Sequence, residues 1–196
     1  MTTSLGTAQH QLSIDQRLDR LGQHVVRSRL FLDLWSYFEL DDTRQHIIET
    51  MREYNEFFRF TPHAYLLTYC IYIAGAFETR RDTINFGTLI RDMTGAGHLQ
   101  GSQEAEVAAL MLTAKAAARK VAILRNNAFA HRTSAITYND VFELAKVSPA
   151  ELRELTDVAL QLFNAMAAIR GVTKQYFTEL PTRDAKSMMA ALASKC

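Results

Sequence analysis

Apolar residues recur every three or four positions through most of the chain, and stretches that alternate apolar with polar are hard to find. That pattern predicts helices and no sheet. From Ser13 to about Leu40, the residues Ile14, Leu18, Leu21, Val25, Phe31, Leu34, Trp35 and Phe38 make the stripe of a long first helix. The acidic pair Asp41 and Asp42 opens a second helix, expected to run to about Phe60. "FTPHAYLL" then breaks and restarts the chain, with Thr61 as the expected N-cap and Pro62 at the first helical position. A third helix follows to about Thr79. The stretch "RRDTINFGTLIRDMTGAGHLQGS", with Gly87, Gly95, Gly97 and Gly101, reads as a loop holding one short helix. Gln103 to about Phe129 is a long alanine-rich helix. Ser148 and Glu151 around Pro149 form a capping-box pattern that starts a last long helix, to about Ile169. The end, "LPTRDAKSMMAALASKC", either adds a short helix or frays. The expectation is an all-α bundle of about five to seven helices.

A chain of 196 residues with 48% hydrophobic and 22% charged content has the composition of one folded domain. We read residues 1–196 as a single unit, with 1–12 and 181–196 as mobile or short terminal extensions. The longest apolar run, Tyr65 to Phe77, is shorter than the roughly 18 to 20 residues needed to cross a bilayer, so it is read as a buried helix. The N-terminus has no pattern of a secretory or transit segment, and a cytoplasmic protein is expected. Cys70 sits inside the apolar run and Cys196 is the last residue, which argues against a disulfide. Six scattered histidines with no i,i+4 pair give little support for a metal, and no cofactor is expected.

The charge is unevenly placed. Between Val107 and Asn139 lie five of the chain's 22 Lys and Arg, namely Lys115, Arg119, Lys120, Arg125 and Arg132, and none of its 21 Asp and Glu. Such a field attracts phosphates even in a protein near neutrality, although a solvated helix face would look the same. Within it stands "AILRNNAFAHRTS", Ala122 to Ser134. Winding the long helix at about 100° per residue places Arg125 in the middle of an arc of Ala114, Ala117, Ala118, Val121, Ala122, Leu124, Ala128 and Phe129. An arginine there either pairs with a distant acid such as Glu78 or Asp82, or lines a cleft that a phosphate enters. His131 falls on the edge of the same arc, about 9 Å further along the axis. Asn126 and Asn127 are poor helix formers, and they either end the helix or orient their neighbours.

An arginine, a polar residue, four others and a histidine near the end of a bundle helix resemble the signature of the HEPN superfamily, and "RNNAFAH", Arg125 to His131, matches it at each defining position. With "NEFFRFTPHAYLL", "ETRRDTINFGTLI" and "TYNDVFELA" around it, the chain from about Leu30 to about Ile169 is similar to the AbiU-like abortive-infection branch. The resemblance implies a helical bundle that dimerises across the motif helices, and in many members metal-independent cleavage of RNA. It makes Arg125 and His131 the catalytic pair and Asn126 the polar residue that orients them. Members with a nucleotidyltransferase antitoxin carry a tyrosine two positions after the histidine, where this chain has Thr133; Tyr138 lies close by.

In the implied reaction a ribose 2′-OH attacks the adjacent phosphorus, His131 exchanges the proton, and Arg125 holds the phosphate through a bidentate fork. Arg119, Lys120 and Arg132 are the expected substrate-binding residues, RNA such as tRNA or mRNA the expected partner, and a homodimer the expected assembly, its interface around Ala117, Val121 and Ala128. A non-catalytic RNA- or nucleotide-binding module, and an antitoxin-binding subunit in which Arg125 is neutralised, are the competing readings.

Overall fold

Ser13 starts the first helix by accepting a hydrogen bond from the Gln16 amide at 3.2 Å, while its own amide donates to the Gln16 side chain at 3.0 Å. This reciprocal cap satisfies two amides that the first turn of a helix leaves open. The structure is a computed structural model that describes residues 12–126 and 138–195, with residues 41 and 138–141 described in backbone alone. Its elements are α1 (Ile14–Glu39), α2 (Asp41–Glu53), α3 (Asn55–Phe58), α4 (Thr61–Phe77), α5 (Phe86–Gly95), α6 (Gly101–Arg125), α7 (Tyr138–Ala145), α8 (Pro149–Arg170) and α9 (Leu180–Ala193). Among the described residues there is no strand.

The bundle is organised around α1, which packs against α4 and α8, while α6 closes the other side against α4 and α8. Leu18, Leu21 and Val25 of α1, Leu66, Tyr69 and Ile73 of α4, Val121 and Leu124 of α6 and Leu155, Leu162 and Phe163 of α8 meet in one core. Each such large apolar side chain, fully buried, contributes roughly 1.5–3 kcal/mol. Gly22 lets α1 approach α8, since a Cβ there would lie 2.5 Å from the tip of the Phe163 ring. Tyr69, fully buried, satisfies its hydroxyl by donating to the Leu152 carbonyl at 2.9 Å.

Ser148 and Glu151 form the expected capping box at the start of α8, and Gly171, at φ 65°, ends that helix in the left-handed conformation that glycine adopts without a Cβ penalty. Two local expectations need correction. Thr61 is not an N-cap: the chain is already helical there, Phe60 precedes the helix without a side-chain cap, and the Thr61 hydroxyl donates to the Phe57 carbonyl at 2.7 Å. The second helix does not reach Phe60. It breaks at Tyr54, and the single turn α3 swings Phe58 into a smaller core cluster, 5.5 Å from the Phe38 ring. At the C-terminal end the chain takes the helical alternative: α9 docks on α1 and α2 and buries Ala185 and Met189 in that same cluster.

Candidate functional site

The inner face of α6 is formed by Val107, Ala114, Val121 and Leu124, each buried against the chain's own helices. This corrects the expectation that Arg125 lies mid-face and that Val121 faces a symmetry mate. On a helical wheel the buried face is centred about 50° from Arg125, and α4 and α8 cover it. Val121 has no exposed surface left to offer a second chain, and Ala117 packs against the same core. Ala128 lies outside the described residues.

Arg125 instead stands at the border between that buried face and an open groove of about 790 Å³, formed by α6, the end of α4 and α5. Phe77, Ile90, Leu99 and Met111 give the groove an apolar floor, while Glu78, Glu104, Lys115, Arg119 and Arg125 supply its charge. The Arg125 side chain is 32% exposed. Its Nε donates to the Asn126 side-chain oxygen at 3.3 Å, and Asn126 closes α6 by donating its own amide to the carbonyls of Ala122 and Ile123. Asn126 thus fixes one edge of the guanidinium.

Of the two acids expected as partners, Glu78 is the nearer, its Oε2 3.9 Å from Arg125 Nη1, which is beyond hydrogen-bond reach. Asp82 is held by Arg80 through contacts of 3.0 and 2.6 Å, and the Arg80 guanidinium keeps its carboxyl below the usual range. Among the described residues Arg125 therefore has a loose acidic neighbour on an open groove rather than a closed, hydrogen-bonded ion pair.

The other expected residues divide. Arg119 is exposed on the lip of the groove. Lys120, about 100° further round α6, points away from it and binds the Glu151 carboxylate, whose pKa is lowered by that hydrogen bond and by the Ser148 amide. His131 and Arg132 lie outside the described residues, as do Asn127 and Thr133. Lys115 was not picked out as a site residue. Its signal was the i,i+4 spacing to Arg119, which sets both on one side of the helix. Cys70, buried on α4, has its thiol pushed up to about 12 by burial, and so stays protonated and inert near neutrality. Among the described residues no three His, Cys, Asp or Glu are grouped to hold a metal ion, and no helix is long and apolar enough to cross a membrane.

The described residues form an all-α bundle whose long helix ends in an Arg-Asn pair at a groove, and the family comparison assigns it the HEPN helical fold. Residues 12–187 match the family model described as AbiU2, and the chain belongs to this HEPN family, which is associated with abortive infection. No curated protein and no solved structure shows significant similarity to the chain.

Proposed function

We propose that the protein is a metal-independent endoribonuclease of phage-defence or toxin type. The observation that carries this reading is the setting of Arg125: held by Asn126, partly exposed, and only loosely approached by Glu78 on an open groove. A guanidinium so placed is oriented yet able to receive a phosphate. His131, six positions on, supplies the group that titrates near neutrality, with an unperturbed pKa of about 6.5.

In the proposed reaction a histidine removes the proton of a ribose 2′-OH as its oxygen attacks the adjacent phosphorus. Arg125 balances the charge growing on the non-bridging oxygens. The P–O5′ bond breaks, and the departing oxygen takes a proton from a second acid, His131 of the other copy in a homodimer. The products are a 2′,3′-cyclic phosphate and a free 5′-OH, and no water is consumed. Arg119, Lys120 and Arg132 hold the strand in this proposal, Lys120 with the smallest share because Glu151 already binds it. RNA is required, since DNA lacks the nucleophile. An antitoxin is the further partner proposed.

A non-catalytic nucleotide- or RNA-binding module is the second reading, favoured by the apolar floor of the groove, which would accept a base. The deciding experiment incubates the pure protein with total RNA and tRNA in excess EDTA, beside Arg125→Ala and His131→Ala. Cleavage by the wild type, with cyclic-phosphate ends, and loss in both variants are expected. Binding without cleavage by the wild type would replace the nuclease with the binding module.

A further inference from the structure

Away from the Arg125 groove, one face of the bundle combines exposed positive charge with ring surface. On α1, Arg20, His24, Arg27 and Phe31 follow at i, i+4, i+7 and i+11, which places them on one stripe about 16 Å long. The buried Leu21, Val25 and Leu32 lie about 100° round the helix, so the stripe flanks the core. Arg20 and Arg27 are exposed, and among the described residues no carboxylate lies within ion-pair distance of either. On the same helix Arg17 is held by Asp92, and Arg29 by Asp33 and Asp157. Asp19, the nearest acid in sequence, is turned about 100° from Arg20 and accepts from Gln23.

The helix packed alongside adds rings and no acid. Tyr72 of α4 sits 5.2 Å from the His24 ring and stacks on Phe31 at 6.0 Å and 7°. Between Thr61 and Phe77, α4 contains no Asp, Glu, Lys or Arg. The positive field is felt at His24, whose pKa is lowered by burial and then by Arg27 and Arg20. α4 also packs on α6, so the stripe and the Arg125 groove lie on opposite flanks of α4, with exposed Ile71 on the crest between them.

We propose that Arg20, His24 and Arg27, beside the Tyr72 ring, form a second RNA-holding strip that takes the phosphate backbone of a single strand after it leaves Arg125. The proposal rests on RNA being the ligand of the groove. Two exposed cations about 10.5 Å apart along the axis can each reach a different phosphate of one strand, and the partly exposed Tyr72 ring lies beside them for contact with an unpaired base. The rings are anchored among α1 and α4 side chains, which disfavours insertion into a membrane.

The test measures anisotropy of a labelled single-stranded 20-mer with 2′-O-methyl riboses, which cannot be cut, against the full chain across a salt series. Arg20→Ala/Arg27→Ala should weaken binding and make the log–log salt slope shallower by about 1.4, the effect of two lost contacts on a single strand. Among the described residues neither arginine has an ion-pair partner, so an unchanged thermal melt checks the fold. An affinity and slope equal to wild type would overturn the strip, as would a wild type that binds anionic vesicles but not the 20-mer. The probe cannot be cleaved, so these outcomes stand apart from the cleavage assay in EDTA, which tests the nuclease reading alone.

Discussion

Replacing Arg125 by alanine separates a catalytic arginine from a structural one, because the two roles differ in what the mutation does to stability. At 3.9 Å and an effective dielectric near 20, the Arg125–Glu78 attraction is about 4 kcal/mol before solvation is counted. Both side chains keep contact with water, at 32% and 21% exposure, and the contact is too long for a hydrogen bond. Water therefore recovers most of that energy once the partner is gone. Exposed pairs measure about 0.2–1 kcal/mol net, whereas breaking a fully buried pair costs about 3–5 kcal/mol. Arg125→Ala is expected near the first range, a Tm change of about 2–4 °C at most for a chain of this size. Cleavage in EDTA should disappear. Arg125→Lys adds a second comparison: the charge beside Glu78 stays, but the fork that would grip a phosphate is lost, so stability should hold while cleavage falls. Melts and cleavage assays are run on the same preparations. A drop of roughly 10 °C in Arg125→Ala would mean that Glu78 had been left buried and alone, and Arg125 would be structural. Full cleavage by either variant would remove it from the chemistry.

Gly22→Ala should destabilise the bundle by about 1–3 kcal/mol, because the added methyl meets the buried Phe163 ring at 2.5 Å; a Tm equal to wild type would mean that α1 and α8 separate freely. The Cys70 thiol has a folded pKa of about 12 against an ordinary value of 9.0. Between those values the unfolded chain loses a proton that the folded chain keeps, so stability is intact below about pH 9 and falls as pH rises towards 12. Denaturant melts from pH 8 to 11 should show that slope, shallower in Cys70→Ala, and equal slopes would exclude the thiol as its source. Charge reversal at Arg119 should weaken RNA binding and flatten its salt dependence more than reversal at Lys120, whose charge Glu151 already binds; equal effects in anisotropy titrations would place Lys120 on the RNA path.

Much of the architecture was legible in the chain because its signals are local. A 3.6-residue apolar period over α1 and α6, the Ser148 and Glu151 pair before α8, and the absence of alternating runs each act within a few residues, and helices are built from contacts of that range. The motif "RNNAFAH" and its surroundings likewise carry the resemblance to the AbiU-like branch, and the chain belongs to the AbiU2 family. The break at Tyr54 was not legible. It depends on Phe58 finding Phe38, a contact between segments twenty residues apart. The docking of α9 was not legible either, since Ala185 and Met189 are buried only because α1 and α2 stand opposite them.

The site divides in the same way. Sequence alone isolated Arg125, Asn126 and the basic run on α6, because residue type and helical spacing are enough to show a cation without a nearby acid. Which side of α6 is covered could not be read from that helix. Alanine is apolar enough to be buried and small enough to line a groove, so the arc around Arg125 carried no mark of its partner. Only the packing of α4 and α8 decided that Val121 and Leu124 belong to the core while Ala118 and Ala122 face the groove. Tertiary structure also turned Lys120 towards Glu151 and set Glu78 within 3.9 Å of Arg125. Long-range electrostatics are fixed by where helices cross, and a crossing is a property of two faces that no single stretch of sequence contains.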